Sequence, residues 1–408
     1  MPYYKDNVLF NKFVKTTALD ALFYFVIYLY LSFLSPYFST LGWSESLKGL
    51  FFSLFSVIGI FVAPILGTIS DKIGRYKVII IGFFLETIAL VGYITIQSAF
   101  YLFLIRIISA IAFNAVTITA ISRINDTVED DSKRSRLNGI FQTVLSISAI
   151  TAPLIGGFVA DYYGYTMVFT LALVVIVIIL LGLLLFDTVF YDDNRPHRKK
   201  DRLKFKDLNP FVDVLHVLSF SELRKITVLG AITNFTAPLM ILVIPFLLVE
   251  EMGLSNAQLS IAVFVMGIGH LLQFFAGRIA DKIGKRKTIA LGLMIGSFAL
   301  VSLFFARTYE LILLFLFVKS IGGALFNISM WSYMSDIAEK YDIEGKVIGS
   351  YSSLSRIFIA ISFAVGGVLL GAVGNKIFLL YAFFVIFPVI LFSKLLFGKR
   401  TSLKSSKS

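Results

Sequence analysis

Gly67-Thr-Ile-Ser-Asp71-Lys-Ile-Gly74-Arg75-Tyr-Lys77 returns 210 residues later as Gly277-Arg-Ile-Ala-Asp281-Lys-Ile-Gly284-Lys285-Arg-Lys287. Each copy closes one long apolar run and opens the next. Around them the 408-residue chain has a mean hydropathy of +0.87, with 58% hydrophobic and only 15% charged residues. A soluble chain of this size needs far more polar surface. A charged turn repeated at this distance in so apolar a chain indicates an internally duplicated membrane protein.

The apolar runs on either side of the turns are about 20 residues or slightly longer, enough for a helix to cross a hydrocarbon core of ~30 Å. They predict twelve helices, at about 16–38, 47–68, 78–97, 100–121, 138–160 and 165–186, then 226–249, 256–277, 288–306, 309–333, 347–372 and 376–397. The expected fold class is all-α integral membrane, with two six-helix halves related by pseudo-two-fold symmetry. Glycines keep the register: Gly139, Gly156-Gly157 and Gly164 recur as Gly349, Gly366-Gly367 and Gly374, each 210 residues on. Arg106 with Phe113-Asn114 recurs as Lys319 with Phe326-Asn327, 213 residues on. Residues 1–186 are read as the first bundle, 187–225 as a basic linker holding a short surface helix near 211–220, 226–397 as the second bundle and 398–408 as a basic tail. Parallel repeats of this kind place a substrate site between the halves near the membrane midplane, with access alternating as one half rocks against the other.

The net charge of +12 is explained by where the charge lies. With the N-terminus in the cytoplasm, nearly all Lys and Arg fall in turns on that side. The opposite turns hold only Lys48, Arg307 and Lys376, beside Glu45, Asp161, Glu250, Glu251 and Glu310. This is the positive-inside pattern, with both termini cytoplasmic, and it makes nucleic acid a poor account of the charge. Lys12 and Lys15 lead straight into a full-length apolar segment, so no cleavable signal is expected. Cysteine is absent, which excludes disulfides and thiolate metal sites.

Polar residues inside the spans are the candidates for a transport pathway, because ionisable groups in a membrane face the protein interior or a wet cavity. They are Glu86, Arg106, Asn114, Asn234, His270, Lys319, Asn327 and Arg356. At about 1.5 Å per residue, Glu86 sits within roughly 7 Å of the depth of Arg106, whereas Asp20 is roughly 18 Å away. Glu86 is therefore the expected partner of Arg106, and Asp20 is expected to snorkel to the cytoplasmic interface. Lys319, Arg356 and His270 have no carboxylate at comparable depth, which favours an anionic substrate or substrate group; carbonyl bonding of Lys319 and snorkelling of Arg356 are the alternatives. Tyr24, Tyr28, Phe113, Phe326 and Trp331 are candidates to line a lipophilic pocket.

Gly67-x-x-x-Asp71-x-x-Gly74-Arg75-x-Lys77 resembles the cytoplasmic loop signature of the major facilitator superfamily, and Gly277, Asp281, Gly284, Lys285 and Lys287 repeat it. The resemblance runs from helix count to central loop. It implies that the motif forms a cytoplasmic gate stabilising the outward-open state, with Asp71 facing the helix start near Lys346. Arg106 resembles the family's fourth-helix arginine, although Ser109 and Ala110 replace the Gln and Gly of that pattern. Ala152-Pro153-Leu154-Ile155-Gly156-Gly157 is similar to the bend of drug/proton exchangers, with Ala in place of the first glycine. The resemblance implies a secondary transporter that exports a small lipophilic or amphipathic compound in exchange for protons. A carrier of an organic anion or other metabolite, and a non-transporting membrane sensor, are the alternatives. The expected partners are a small-molecule substrate, protons and the lipid bilayer, in a monomer at the cell membrane. No nucleotide-binding loop, catalytic constellation, cofactor or metal site is legible, so an enzyme is not expected.

Overall fold

The structure, a computed structural model, describes residues 2–126, 131–185, 210–341 and 344–397. Gly74 has φ +102° and Gly284 has φ +93°, a region that side chains rarely enter, so each turn needs its glycine. The first ends α3 (Glu45–Ile73) and starts α4 (Arg75–Thr95); the second ends α11 (Gln273–Ile283) and starts α12 (Lys285–Phe305).

In chain order, α1 (Pro2–Leu31) and α2 (Leu34–Thr40) precede α3 and α4, and α5 (Ala99–Asn125), α6 (Asp131–Tyr163) and α7 (Tyr165–Leu185) follow them. Then come α8 (Pro210–Ser219), α9 (Ser221–Thr233), α10 (Asn256–Leu271), α11, α12, α13 (Tyr309–Lys340), α14 (Glu344–Val373), α15 (Ile377–Leu391) and α16 (Ser393–Phe397). Among the described residues, ten helical stretches are long and apolar enough to cross a membrane. One of them, Gly349–Leu391, contains a 3-10 turn at Gly374–Lys376, and Asn256–Gly269 is a shorter apolar helix. The outward faces carry large apolar side chains that water would not tolerate in such numbers: Phe84, Ile178, Leu185, Phe298 and Ile390 are each more than half exposed. The chain is a multi-pass membrane protein.

Two expected helices differ in detail. The span expected at 226–249 starts as α9 and then passes through a 3-10 turn (Asn234–Thr236) and two π segments (Leu239–Val243, Phe246–Glu251). Pro238 and Pro245 lack the N–H that a regular α-helix would use there, and the wider turns accommodate them. The span expected at 256–277 breaks at Leu272 into α10 and α11. The short surface helix appears as α8, whose Val214 and Val217 are buried and which packs on α14. Residues 187–209 of the expected linker and 398–408, the expected tail, lie outside the described residues.

The core is aromatic. Phe38 stacks on Trp43 at 4.3 Å, and both meet Phe51 edge-on. Tyr30, Tyr93 and Phe169 join α1, α4 and α7 in a second group. Among the strongest helix pairings are α3 with α14 and α6 with α10. These bring the helices before residue 186 against those after residue 220.

Candidate functional site

Between these two groups of helices lies a cavity of about 350 Å³, within the range of about 300–1,000 Å³ typical of small-molecule sites. Tyr24 and Tyr28 of α1 and Gln142 and Ser146 of α6 line one side; Asn234, Lys319 and Asn327 line the other. Apolar surface from Leu145, Ile150, Met240, Val263 and Met266 fills the spaces between them. Tyr24 and Tyr28 stack at 5.7 Å, and Tyr24 also packs on Phe113 at 5.5 Å. Of the eight expected pathway residues, the structure brings Asn234, Lys319 and Asn327 to the cavity. Glu86, Arg106, Asn114 and Arg356 are placed elsewhere, and the side chain of His270, a helical turn beyond Met266, lies outside the described residues.

Glu86 is fully buried on α4 and accepts a hydrogen bond from Tyr30 at 2.6 Å; the same hydroxyl is 3.5 Å from Ser109. Arg106 forms no ion pair with Glu86. Its guanidinium stands over Phe55 at 4.6 Å, Phe51 at 5.2 Å and Phe52 at 5.5 Å, so cation–π contacts with α3 hold it. Matching depth says nothing of direction: Tyr30 from α1 donates the hydrogen bond to Glu86 and Arg106 turns its guanidinium towards α3, so the two act on each other through charge without direct contact. Asp20 does not snorkel. It is 1% exposed on α1, and among the described residues nothing hydrogen-bonds either carboxylate oxygen. Arg356 does not snorkel either. It crosses from α14 to α5 and donates from Nη1 to Asn114 Oδ1 at 2.9 Å.

The turns themselves are anchored within their own groups of helices. Arg75 pairs with Asp71 at 3.0 Å and with Asp126, at the end of α5, at 2.6 Å. Lys285 pairs with Asp336, near the end of α13, at 2.7 Å. Asp126 and Asp336 escaped the sequence reading, although they too stand 210 residues apart. The side chain of Lys346, expected near Asp71, lies outside the described residues. Lys77, Asp281 and Lys287 lie at or beside these turns, and an added Cβ at Gly67 or Gly277 meets open space.

The opposite end of the bundle is closed by contacts across the two groups. Lys48 of α3, its side chain fully buried, pairs with Glu45 at 2.5 Å and with Glu250 at 2.8 Å, and donates to Ser39. Asp161 at the end of α6 accepts from the backbone N–H of Asn256 at 2.7 Å and of Ala257 at 2.8 Å, capping α10. Close helix approach accompanies both contacts. Pro153 lies inside the continuous α6; beyond it, Gly156 abuts Leu29 of α1 and Phe33 in the turn after it, and Gly157 abuts Asn256 and Ser260 of α10. Gly367 of α14 likewise abuts Glu45 and Gly49 of α3. Neither the Lys48 cluster nor Asp161 stood out in the sequence, because short turns with mixed charge are ordinary; partners such as Lys48 and Glu250, 202 residues apart, were the missing information.

A helical bundle with a cavity between two groups of helices, and with paired charged turns, is the build of a membrane transporter. The chain belongs to the Major Facilitator Superfamily, whose sequence profile matches residues 18–272 and 226–408. It is a transporter-family protein rather than an enzyme. It is 24% identical over 340 residues to the quinolone resistance protein NorA of Staphylococcus aureus strain COL, covering 81% of this chain and 84% of that protein. It is 26% identical over 377 residues to the MFS-type transporter MJ1560 of Methanocaldococcus jannaschii, covering 90% of this chain and 93% of that one. The fold matches a crystal structure of the nucleoside transporter NupG with a TM-score of 0.72 at 16% identity, over 94% of this chain and 99% of that one.

Proposed function

We propose that the chain is a secondary transporter of two six-helix halves that exports a small lipophilic or amphipathic compound by alternating access, in exchange for protons. The observation that carries the reading is the cavity lying between the halves and closed off at one end only by contacts between them. The similarity to a drug-resistance transporter favours export. Twelve crossings follow if Gly349–Leu391 is counted as two helices and Asn256–Gly269 as one. Pseudo-two-fold symmetry is supported by paired contacts in register. Gly157 meets Asn256 and Ser260, and 210 residues on Gly367 meets Glu45 and Gly49; these partners are themselves 211 residues apart. Arg75–Asp126 and Lys285–Asp336 repeat at 210.

In this reading residues 1–186 and 226–397 are the halves, both termini are cytoplasmic, and the Gly74 and Gly284 turns lie at the cytoplasmic gate. The Lys48 and Asp161 contacts then seal the external end, and the chain acts as a monomer. The test is proton-coupled flux. In energised inside-out vesicles, addition of a transported compound discharges the pH gradient; a flat trace across a panel of lipophilic compounds, from vesicles with verified protein, overturns the reading.

A further inference from the structure

We infer that the cavity takes an amphipathic anion, its carboxylate or equivalent group on Lys319 and its apolar body against Met240, Val263 and Met266. The inference deepens the transporter reading and rests on it. Of the pathway cations Arg106, Lys319 and Arg356, two are already engaged. Arg106 is held by three phenyl rings, and Arg356 by Asn114. Lys319 lines the cavity, and among the described residues no hydrogen bond or ion pair reaches its ammonium.

The remaining lining decides the sign of the ligand. Apart from Lys319 it is tyrosine, amide, hydroxyl and apolar, with no carboxylate among the described lining residues. A neutral or cationic ligand filling the cavity would displace solvent from the ammonium and leave a buried charge uncompensated, which is costly. An anionic group replaces that solvation with a charge-assisted hydrogen bond. Asn234, Asn327 and Gln142 stand around the same space and can donate to the remaining oxygens of the anion. Gly323 lies one turn along α13 from Lys319 on the same face, also lines the cavity, and has no atom near a built Cβ, so the space beside the ammonium is open.

The experiment compares 2-naphthoate with 2-naphthamide, near-isosteric probes differing in charge, by calorimetric binding to the purified full-length protein. The expected result is naphthoate binding tighter by roughly tenfold to a hundredfold, the range of one hydrogen bond to a charged group. Lys319→Met should remove that margin while leaving naphthamide binding unchanged, and Lys319→Arg should retain it. Gly323→Leu, which fills the cavity without touching the charge, should abolish both and keeps the test decisive if Lys319→Met fails to fold. Equal affinities in the unmodified protein, no binding of naphthoate, or equal loss of both probes in Lys319→Met overturns the inference. A protein that binds naphthamide alone leaves the transporter reading standing. One that binds naphthoate as expected but moves no compound across vesicles overturns that reading and not this one.

Discussion

Arg356 and Asn114 are 242 residues apart in sequence and hydrogen-bonded at 2.9 Å in space, joining α14 to α5. Asn114 is fully buried and passes its own amide hydrogen to the Ala110 carbonyl, so its oxygen is free to face the guanidinium. Gly59 makes room, since a Cβ there would strike Arg356 Nη1. Asn114→Leu leaves a largely buried guanidinium without its acceptor and should cost about 1–3 kcal/mol. A thermal melt of the detergent-purified protein reads this as a lowered Tm. Adding Arg356→Met to Asn114→Leu should recover part of the loss, and strict additivity of the two substitutions would show that the bond contributes nothing.

Lys48 is the keystone of the closed end, with Glu45, Glu250 and Ser39 converging on one buried ammonium. Lys48→Met strands two carboxylates, and breaking a buried pair in this way costs on the order of 3–5 kcal/mol. Because Glu250 lies across the interface, the cost falls on the closed state. The chain has no native cysteine, so spin labels on Thr40→Cys and Ser255→Cys report that end cleanly. Their distance distribution should shift to longer values in Lys48→Met; an unchanged distribution would mean that other contacts set the closure.

The glycines divide by what surrounds them. A Cβ on Gly157 meets the Asn256 carbonyl at 2.6 Å, and one on Gly367 meets Gly49 Cα at 2.7 Å, both backbone atoms that cannot swing aside. Gly157→Ala and Gly367→Ala should each lower thermal stability and transport. Gly67 and Gly277 have open space, so Ala there should be neutral or slightly stabilising by helix propensity, by roughly 0.5–1 kcal/mol. If Gly67→Ala retains stability yet loses transport, the close approach that needs glycine occurs only in the other conformation of the cycle.

The sequence made some of this legible and concealed the rest for identifiable reasons. The repeated turn, the apolar runs and the glycine register are properties of consecutive residues, and they located the turns at Gly74 and Gly284 without a structure. The same 210-residue register contained Asp126 and Asp336, which only a residue-by-residue comparison of the halves would have singled out. Helix depth could be counted, but the direction a side chain takes around its helix could not; hence Arg106 was matched to Glu86 when it faces Phe51, Phe52 and Phe55. The irregular helix after α9 was signalled only by Pro238 and Pro245, since two prolines mark a departure from α geometry without specifying π turns.

The two turn anchors should differ in weight. Lys285–Asp336 is a half-exposed pair, its side chains 28% and 53% exposed, and exposed pairs contribute about 0–1 kcal/mol. Arg75 is 11% exposed at the side chain and engages two carboxylates, Asp71 and Asp126. Arg75→Ala should therefore lower the melting temperature more than Lys285→Ala, and high salt should narrow the gap only slightly. Equal effects would assign both residues to topology alone.

Glu86 sits in the least expected surroundings for a pathway residue. It is buried among α1, α4 and α5, bonded to Tyr30, and set apart from the cavity. Among the described residues one Glu86 oxygen and both oxygens of Asp20 lack a hydrogen-bond partner, so under the proposed exchange for protons both carboxyls are candidates to take up the proton. Their roles separate in two assays. If Glu86 carries the proton, Glu86→Gln should abolish uphill, gradient-driven transport while sparing energy-independent exchange of labelled for unlabelled substrate, because binding and rocking need no proton transfer. Tyr30→Phe should alter the pH dependence of uphill transport, since it removes the donor to that carboxyl without removing the carboxyl. Should Glu86→Gln depress exchange and uphill transport together, Glu86 is a packing element of the first half. Asp20→Asn subjected to the same pair of assays then becomes the discriminating variant, with loss of uphill transport alone placing the coupling proton on α1.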